Sequence, residues 1–184
     1  MIRVGHRGNS RFSRGLMNIQ QRLRIERIRS EAEGYLELGM PGHALEALQC
    51  HGRVIHGDAS GCYLMGESLR LLSRYREAII PLSRSLNLIP DDIRVCIALG
   101  WCYKRTGRIH RAIEALEHAL NVEPGEAVLH YNLACYWSLI ADRQRALRYL
   151  AEALAIDGNL RDLIDGESDF DVLRSDPLFR SLIG

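Results

Sequence analysis

The sequence contains little of what marks membrane or secreted proteins. No run of about eighteen apolar residues occurs, so no membrane-spanning helix is predicted. The N-terminus lacks the apolar stretch of a secretory signal. Aromatic residues make up 7% of the 184 residues, prolines number five, and 26% of the residues are charged. This composition predicts one soluble helical unit, and we expect it to be cytoplasmic.

Cysteine shows no sign of disulfide or metal chemistry. The five cysteines are odd in number, form no CxxC pair and lie mostly in apolar stretches, which predicts buried reduced thiols. His51 and His56 lie near Cys50, but their spacing matches neither a zinc finger nor an HExxH helix. We therefore expect no bound metal.

Local motifs of catalysis and cofactor binding are also missing. The acidic stretch from Asp162 to Asp171 lacks the ligand order of an EF-hand loop. The segment from Gly5 to Gly8 lacks the Lys-Ser/Thr pair of a phosphate loop. No nucleophile has a base beside it in sequence, although a triad assembled across the fold would leave no such local pattern. We expect no enzyme activity and no cofactor.

What the sequence does contain is a period of 34 residues. Alanines and leucines recur at this spacing: Ala44, Ala78, Ala112 and Ala146, and Leu48, Leu82, Leu116 and Leu150. Such a period predicts a solenoid, in which each unit is a helix pair that buries its apolar face only against its neighbours. The predicted units are 25–58, 59–92, 93–126 and 127–160, each with the order helix, turn, helix.

The third unit resembles the tetratricopeptide repeat. The resemblance rests on Leu99, Gly100, Tyr103, Gly107, Ala112, Leu116, Ala119, Leu120 and Pro124. It implies an all-α, right-handed α-solenoid of four helix-turn-helix repeats, whose first helices line a concave surface. A small residue in each first helix predicts close approach of the second helix at its matching alanine. These small residues are Ala32, Gly66, Gly100 and Ala134.

The turns between helices differ among the units. Gly39 and Gly107 occupy the first and third turns, and Ser73 and Ala141 stand in the other two. Because glycine accepts positive φ, we expect the first and third turns to be the tightest. The first unit departs most from the pattern, with Gly52 inside its second helix.

The pattern stops after the fourth unit, and residues 161–184 are predicted to form a C-terminal cap. Asp176 followed by Pro177 is a strong helix start. The segment 169–182 is similar to tails that often close bacterial tetratricopeptide chains. The residues expected to cover the exposed face of the last repeat are Phe170, Leu173, Phe179 and Leu182.

A basic arm, residues 1–24, precedes the repeats. Residues 1–30 hold eight arginines and one acid, Glu26, so the near-neutral chain combines a basic arm with an acidic body. The near-neutral net charge of the whole chain therefore hides two regions of opposite charge.

The arm is predicted to be helical from about Ser13, with Leu16, Ile19 and Leu23 on one stripe. At helical spacing, the apolar stripe of the first repeat helix points almost the opposite way. Either the chain breaks between Leu23 and Glu26, or one long helix presents the arm's stripe away from the solenoid core.

Four roles stay open for the arm. The first two are a capping helix with a solvated arginine face and a docking helix for a partner or a second copy. The other two are a contact for anionic lipid or nucleic acid and an organelle-targeting segment. Nucleic acid is disfavoured because Phe12 is the only aromatic residue of the arm. The candidate contact residues are Arg14, Leu16, Ile19, Leu23 and Arg24.

The family resemblance implies that set positions of the first helices contact a ligand. Apolar and aromatic residues occupy the middle of this groove, and basic residues form an edge. The candidate partner-binding residues are Tyr63, Glu67, Arg70, Arg94, Ile97, Trp101, Lys104, Arg105, Tyr131 and Asn132. They predict binding of a peptide or helix with apolar anchors and some acidic residues. The alternative is that the aromatic residues pack as core.

The groove does not reproduce the carboxylate clamp of chaperone-binding family members. That clamp needs asparagines in two repeats, whereas Asn132 is the only asparagine in the groove, and Leu64 and Ala98 occupy the equivalent places. The ligand class of those members is therefore not expected.

Three functions fit the sequence. The preferred one is a non-enzymatic scaffold or adaptor that binds a segment of a protein partner in the concave groove. The second is an assembly or secretion chaperone, because the small tetratricopeptide chaperones of bacterial type III secretion are similar in size and also have an N-terminal helix ahead of the repeats. The third is a structural subunit of a larger complex, tethered by the arginine-rich arm.

Overall fold

The computed structural model describes the backbone of residues 9–184 and the side chains of residues 19–184. This part of the chain consists of helices and contains no β-strand. Two 3-10 helices span Gly158–Leu160 and Ser168–Leu173. The α-helices are α1 (Asn9–Glu37), α2 (Pro41–Gln49), α3 (Gly52–Ile55), α4 (Ala59–Leu71), α5 (Tyr75–Leu88), α6 (Ile93–Arg105), α7 (Ile109–Val122), α8 (Ala127–Leu139), α9 (Arg143–Ile156), α10 (Arg161–Ile164) and α11 (Pro177–Ile183).

Consecutive helices pack as pairs, α1 with α2, α4 with α5, α6 with α7 and α8 with α9. Each pair then contacts the next through α2 and α4, α5 and α6, and α7 and α8. The alanines and leucines of the 34-residue period are fully buried within these contacts. The predicted all-α solenoid of helix pairs is confirmed.

Two glycines explain how closely the paired helices approach. A Cβ atom on Gly66 would lie 2.4 Å from Cγ of Leu82, and one on Gly100 would lie 3.2 Å from Cγ of Leu116. The carbonyl oxygens of the matching alanines are further away, at 3.4 Å for Ala78 and 3.6 Å for Ala112. The small residue therefore makes room mainly for the leucine of the period rather than for its alanine.

All four turns use one residue in the left-handed region. The φ angles are 69° at Gly39, 59° at Ser73, 75° at Gly107 and 60° at Ala141. In each turn the next backbone N–H donates to a carbonyl five residues earlier, as in Arg74 to Leu69 at 2.8 Å. This is the Schellman pattern of helix termination. The expectation that the glycine turns are tighter is wrong, because Ser73 and Ala141 adopt the same conformation.

Helix α1 runs without interruption from the arm into the first repeat. The predicted alternative of a break between Leu23 and Glu26 is therefore wrong. Ile28 and Ala32 face the core, whereas Ile19 and Leu23 are 55% and 60% exposed. One long helix presents two apolar faces that point apart. Residues 1–8 lie outside the described residues, as do the side chains of Arg14 and Leu16.

The second helix of the first repeat is divided in two. Helix α2 ends at Gln49 and α3 begins at Gly52, with the N-cap residue His51 between them. Ile55 in α3 is still fully buried. Glycine disfavours the helix interior, which agrees with a break at this point.

The C-terminal segment closes over α8 and α9. Phe170 and Phe179 are fully buried, and their rings lie 5.6 Å apart. Helix α11 begins at the N-cap residue Asp176, whose carboxylate accepts hydrogen bonds from the backbone N–H groups of Leu178 and Phe179. Among the described helices, none combines the length and the apolarity that crossing a membrane requires.

Candidate functional site

The main candidate site is a cleft of about 320 Å³ between the first helices α4 and α6. We call it the α4–α6 cleft. The starts of these helices are fixed by the N-cap residues Asp58 and Asp92. Their carboxylate oxygens accept hydrogen bonds from backbone N–H groups of the first turn, with N···O distances of 2.7 Å and 3.1 Å. The residues that line the cleft are Tyr63, Glu67, Arg70, Arg94, Ile97, Ala98 and Trp101. The structure thus brings together most of the groove residues predicted from the second and third repeats.

The apolar part of the cleft is accessible. Trp101 is 37% exposed, and Tyr63 and Ile97 are half-buried. The Arg94 guanidinium lies 5.1 Å from the centroid of the Tyr63 ring. Such a cation–π contact contributes about 0.5–1 kcal/mol at an exposed site. Burial is the main cause that raises the pKa of the Tyr63 hydroxyl, so this side chain stays neutral near pH 7.

The arginines of the cleft are already paired. Arg70 donates Nε and Nη2 to the Glu67 carboxylate at 2.8 Å and 2.5 Å. Arg94 donates Nε and Nη2 to the Asp92 carboxylate at 3.1 Å and 2.8 Å. The predicted basic edge is therefore largely neutralised at these two residues, because each guanidinium has a carboxylate beside it.

Lys104 and Arg105 do not line the cleft, although they were predicted with it. The Lys104 ammonium forms an ion pair with Asp169 of the C-terminal segment. It also lies 5.5 Å from the ring centroid of Trp101. Arg105 stacks over Tyr75 at 5.2 Å, in a separate depression of about 480 Å³ at the turn between α4 and α5.

Tyr131 belongs to the core rather than to an open groove. It is 7% exposed and meets Phe170 edge to face, with centroids 5.7 Å apart. Burial raises the pKa of its hydroxyl, which has no hydrogen-bond partner among the described residues. Asn132, the next residue on α8, is half-buried. The C-terminal segment thus covers the part of the groove that the fourth repeat was expected to expose.

Sequence reasoning missed two contacts at the end of the groove, one made by Asp169 and one by Phe170. Phe170 was expected to cover the last repeat, but its contact with Tyr131 was not predicted. Asp169 reaches Lys104 across a sequence separation of 65 residues. No local pattern in the sequence indicates a contact at that separation.

A second cleft, of about 450 Å³, lies where α1 passes the break between α2 and α3. It brings the predicted arm residues Leu23 and Arg24 together with Arg27, Ile28 and His51. Ile19 is exposed nearby on the same helix. Of the predicted arm residues, Ile19, Leu23 and Arg24 are the ones whose side chains the structure describes.

One cluster of metal-type ligands is present among the described side chains. One donor atom each of Cys135, Glu167 and Asp169 lies within 4.8 Å of the others. The Lys104 ammonium already supplies positive charge at Asp169. Burial raises the pKa of the Cys135 thiol, which keeps it protonated and a poor ligand at neutral pH. The cluster is better explained as the polar contact that holds the C-terminal segment.

Comparison with known proteins agrees with the fold described above. Residues 93–126, which contain α6 and α7, match the family model described as tetratricopeptide repeat. A crystal structure of MamA is 23% identical, with a TM-score of 0.70 over 73% of this chain and 79% of that one. The chain has the tetratricopeptide-repeat fold.

Other solved structures share this tetratricopeptide-repeat fold. MamA 41-end from Desulfovibrio magneticus RS-1 is 19% identical, with a TM-score of 0.69 over 86% of this chain and 93% of that one. YrrB, described as a TPR protein with an unusual peptide-binding site, is 22% identical, with a TM-score of 0.66 over 70% of this chain and 66% of that one. No protein of curated function matches the sequence.

Proposed function

We propose that this chain is a non-enzymatic scaffold that holds a peptide or helical segment of a protein partner in the α4–α6 cleft. The observation that carries the proposal is the 37% exposure of Trp101 at the mouth of a formed cleft. Removing a large aromatic side chain from water is more favourable than removing a small one, so the exposure of Trp101 within a concave surface favours an interaction site.

The composition of the cleft supports a protein partner. Trp101, Tyr63 and Arg94 belong to the residue types that contribute most to binding energy at protein interfaces. A volume of about 320 Å³ is at the small end of ligand pockets. It fits one or two anchoring side chains, so the rest of a bound segment lies outside the cleft. The structural similarity to YrrB, a peptide-binding protein of this fold, is consistent with such a role.

The chemistry of the buried thiols supports a role without catalysis. Burial raises the pKa of Cys96 and of Cys102 to about 11. Both thiols are therefore protonated near pH 7 and unsuited to act as nucleophiles. The five free thiols, of which four are buried and Cys50 is exposed, also fit the reducing cytoplasm in which we place the protein.

A second candidate function is that of a subunit tethered through α1. Ile19 and Leu23 are exposed on a helix that extends beyond the first repeat, with Arg24 beside them. An exposed apolar stripe on a helix can dock into an apolar groove of a partner. Deleting residues 1–24 would abolish co-purification of a stable complex under this function, and would leave it intact under the cleft proposal.

The cleft proposal is tested by partner recovery from a lysate of the native cell. The bait carries Trp101→Ala, and the control bait carries Ile80→Ala, which removes an exposed apolar residue of α5 outside the cleft. Circular dichroism confirms that both variants are folded. We expect a partner that the wild type and Ile80→Ala recover and that Trp101→Ala loses. Equal recovery by both variants would rule out the cleft as the binding site.

A further inference from the structure

The C-terminal segment already occupies one subsite of the repeat array. Asp169 pairs with Lys104 on α6, and the next residue, Phe170, packs on Tyr131 of α8. Both carry little exposed surface, since Asp169 is 6% exposed and Phe170 is fully buried. An acidic residue followed by an aromatic residue is therefore a pair that two adjacent first helices of this chain can hold.

The same subsite recurs one repeat earlier and is open there. Arg70 stands 34 residues before Lys104, and Ile97 stands 34 residues before Tyr131. Because the repeats share one backbone geometry, Arg70 and Ile97 have the same relation to each other as Lys104 and Tyr131. Both line the α4–α6 cleft, which no part of the described chain fills. The cleft is thus the open equivalent of the subsite that the C-terminal segment occupies.

We propose that the α4–α6 cleft binds a partner segment in which an acidic residue directly precedes an aromatic residue. The acidic residue is placed at Arg70 and the aromatic ring on Ile97 and Trp101. This inference rests on the proposed function, since it specifies the segment that the scaffold holds. It follows from the register of the repeats and from the chain's own occupied subsite.

The chemistry at Arg70 accommodates a second carboxylate. The Glu67 carboxylate accepts hydrogen bonds from Nε and Nη2 of Arg70. The two hydrogens on Nη1 of Arg70 are left for a further acceptor. Arginine is the side chain best suited to bridge two carboxylates, because its charge is delocalised over a planar group with five donors. The negative charge of Glu67 opposes the incoming acid, so we expect moderate rather than tight binding.

A bound aromatic ring meets more aromatic surface in the α4–α6 cleft than Phe170 meets at the occupied subsite. Trp101 stands at the position that Cys135 holds one repeat later, and Tyr63 stands one repeat before Ile97. An incoming ring therefore meets an indole and a phenol as well as the Ile97 side chain. Aromatic pairs contribute about 0.5–1.5 kcal/mol beyond the area that they bury.

The proposal is tested with a labelled synthetic peptide that has the sequence of residues 167–173, titrated into the full chain by fluorescence anisotropy. Matched peptides carry Asn in place of the acid corresponding to Asp169, or Ala in place of Phe170. We expect each change to weaken binding about tenfold or more, as do Trp101→Ala and Arg70→Gln in the protein. Arg76→Gln, which removes an exposed arginine outside the cleft, is expected to leave binding unchanged.

Two outcomes would overturn the proposal. One is no binding of the peptide up to millimolar concentration. The other is binding that Lys104→Gln abolishes and Trp101→Ala leaves unchanged, because the peptide would then replace the chain's own C-terminal segment rather than enter the cleft.

A selection of random displayed peptides on the full chain separates this inference from the proposed function. Enrichment of acidic-aromatic pairs whose binding needs Trp101 supports both. Enrichment of another pattern that still needs Trp101 overturns the inference and supports the function. Selected peptides that bind Trp101→Ala as well as the wild type contradict both.

Discussion

Gly66 and Leu82 are in a contact that leaves no space for a side chain on the glycine. A Cβ atom there would lie 2.4 Å from Cγ and 2.6 Å from Cδ2 of Leu82, which is itself fully buried. The equivalent distances from Gly100 to Leu116 are both 3.2 Å. The second repeat is therefore packed more tightly than the third at the same position.

Replacing each glycine with alanine tests this difference. Gly66→Ala is expected to destabilise the fold by up to about 2 kcal/mol, since overpacking costs about 1–3 kcal/mol and alanine recovers about 1 kcal/mol of helix propensity. Gly100→Ala is expected to be close to neutral, because Leu116 needs to move only a few tenths of an ångström. Urea unfolding followed by circular dichroism measures both. Equal stability of the two variants would contradict the packing described here.

The turn residue Ala141 gives a second prediction. Its φ of 60° lies in the left-handed region, which costs an alanine about 1 kcal/mol relative to glycine. Ala141→Gly is therefore expected to raise the free energy of unfolding by up to about 1 kcal/mol. The matched reverse change, Gly107→Ala, is expected to lower it by at least about 1 kcal/mol. Thermal unfolding midpoints that move in the same direction for both variants would be inconsistent with the turn geometry.

The ion pair between Lys104 and Asp169 is expected to anchor the C-terminal segment. Lys104→Met leaves the buried Asp169 side chain without its partner, and breaking such a pair costs about 3 kcal/mol. Changing both residues, as Lys104→Met with Asp169→Asn, is expected to restore much of that loss. Limited proteolysis at residues 161–184 measures the release of the segment, and urea unfolding measures the stability. A double variant no more stable than Lys104→Met would argue against direct coupling.

Asp176 gives a pH-dependent prediction. The pKa of its carboxyl group is lowered to about 2. The main cause is its hydrogen bonding with Arg143, and the backbone N–H groups of α11 add to the effect. A carboxylate with a lowered pKa in the folded state stabilises the fold above its unfolded pKa of about 4, and this contribution is lost as the pH falls towards 2. Asp176→Asn keeps an N-cap side chain but removes the charge.

The pH effect is measured as the difference in urea midpoint between the wild type and Asp176→Asn. We expect the wild type to be the more stable at pH 7 and the difference to shrink as the pH falls from about 4 towards about 2. A difference that stays constant from pH 7 to pH 3 would show that the ion pair with Arg143 does not contribute.

The fold could be predicted from the sequence because its main determinant is periodic. The alanines and leucines at 34-residue spacing are all fully buried, so one pattern identifies the core of every repeat. The turns were harder to predict. Ser73 and Ala141 adopt positive φ although neither residue favours it, because the packing of the flanking helices outweighs the local preference.

The site could be predicted only in part. The α4–α6 cleft follows from the repeat register, since Tyr63, Ile97 and Trp101 fall on the inner faces of two adjacent first helices. The burial of Tyr131 does not follow from it, because that burial depends on the separate segment that carries Phe170. A repeat pattern describes contacts between neighbouring units, and a segment outside the pattern folds back without a signal of its own.

The most direct test of the central claim is a photo-crosslinking measurement from the cleft. A photoreactive phenylalanine derivative, which keeps an aromatic ring in the cleft, replaces Trp101 in one variant and Ile80 in a control variant, and cross-linked partners are mapped by mass spectrometry. We expect position 101 to cross-link to one short segment of one partner protein, and position 80 not to. Cross-links to the same partner from both positions, or from position 80 alone, would contradict the account in which the α4–α6 cleft is the binding site.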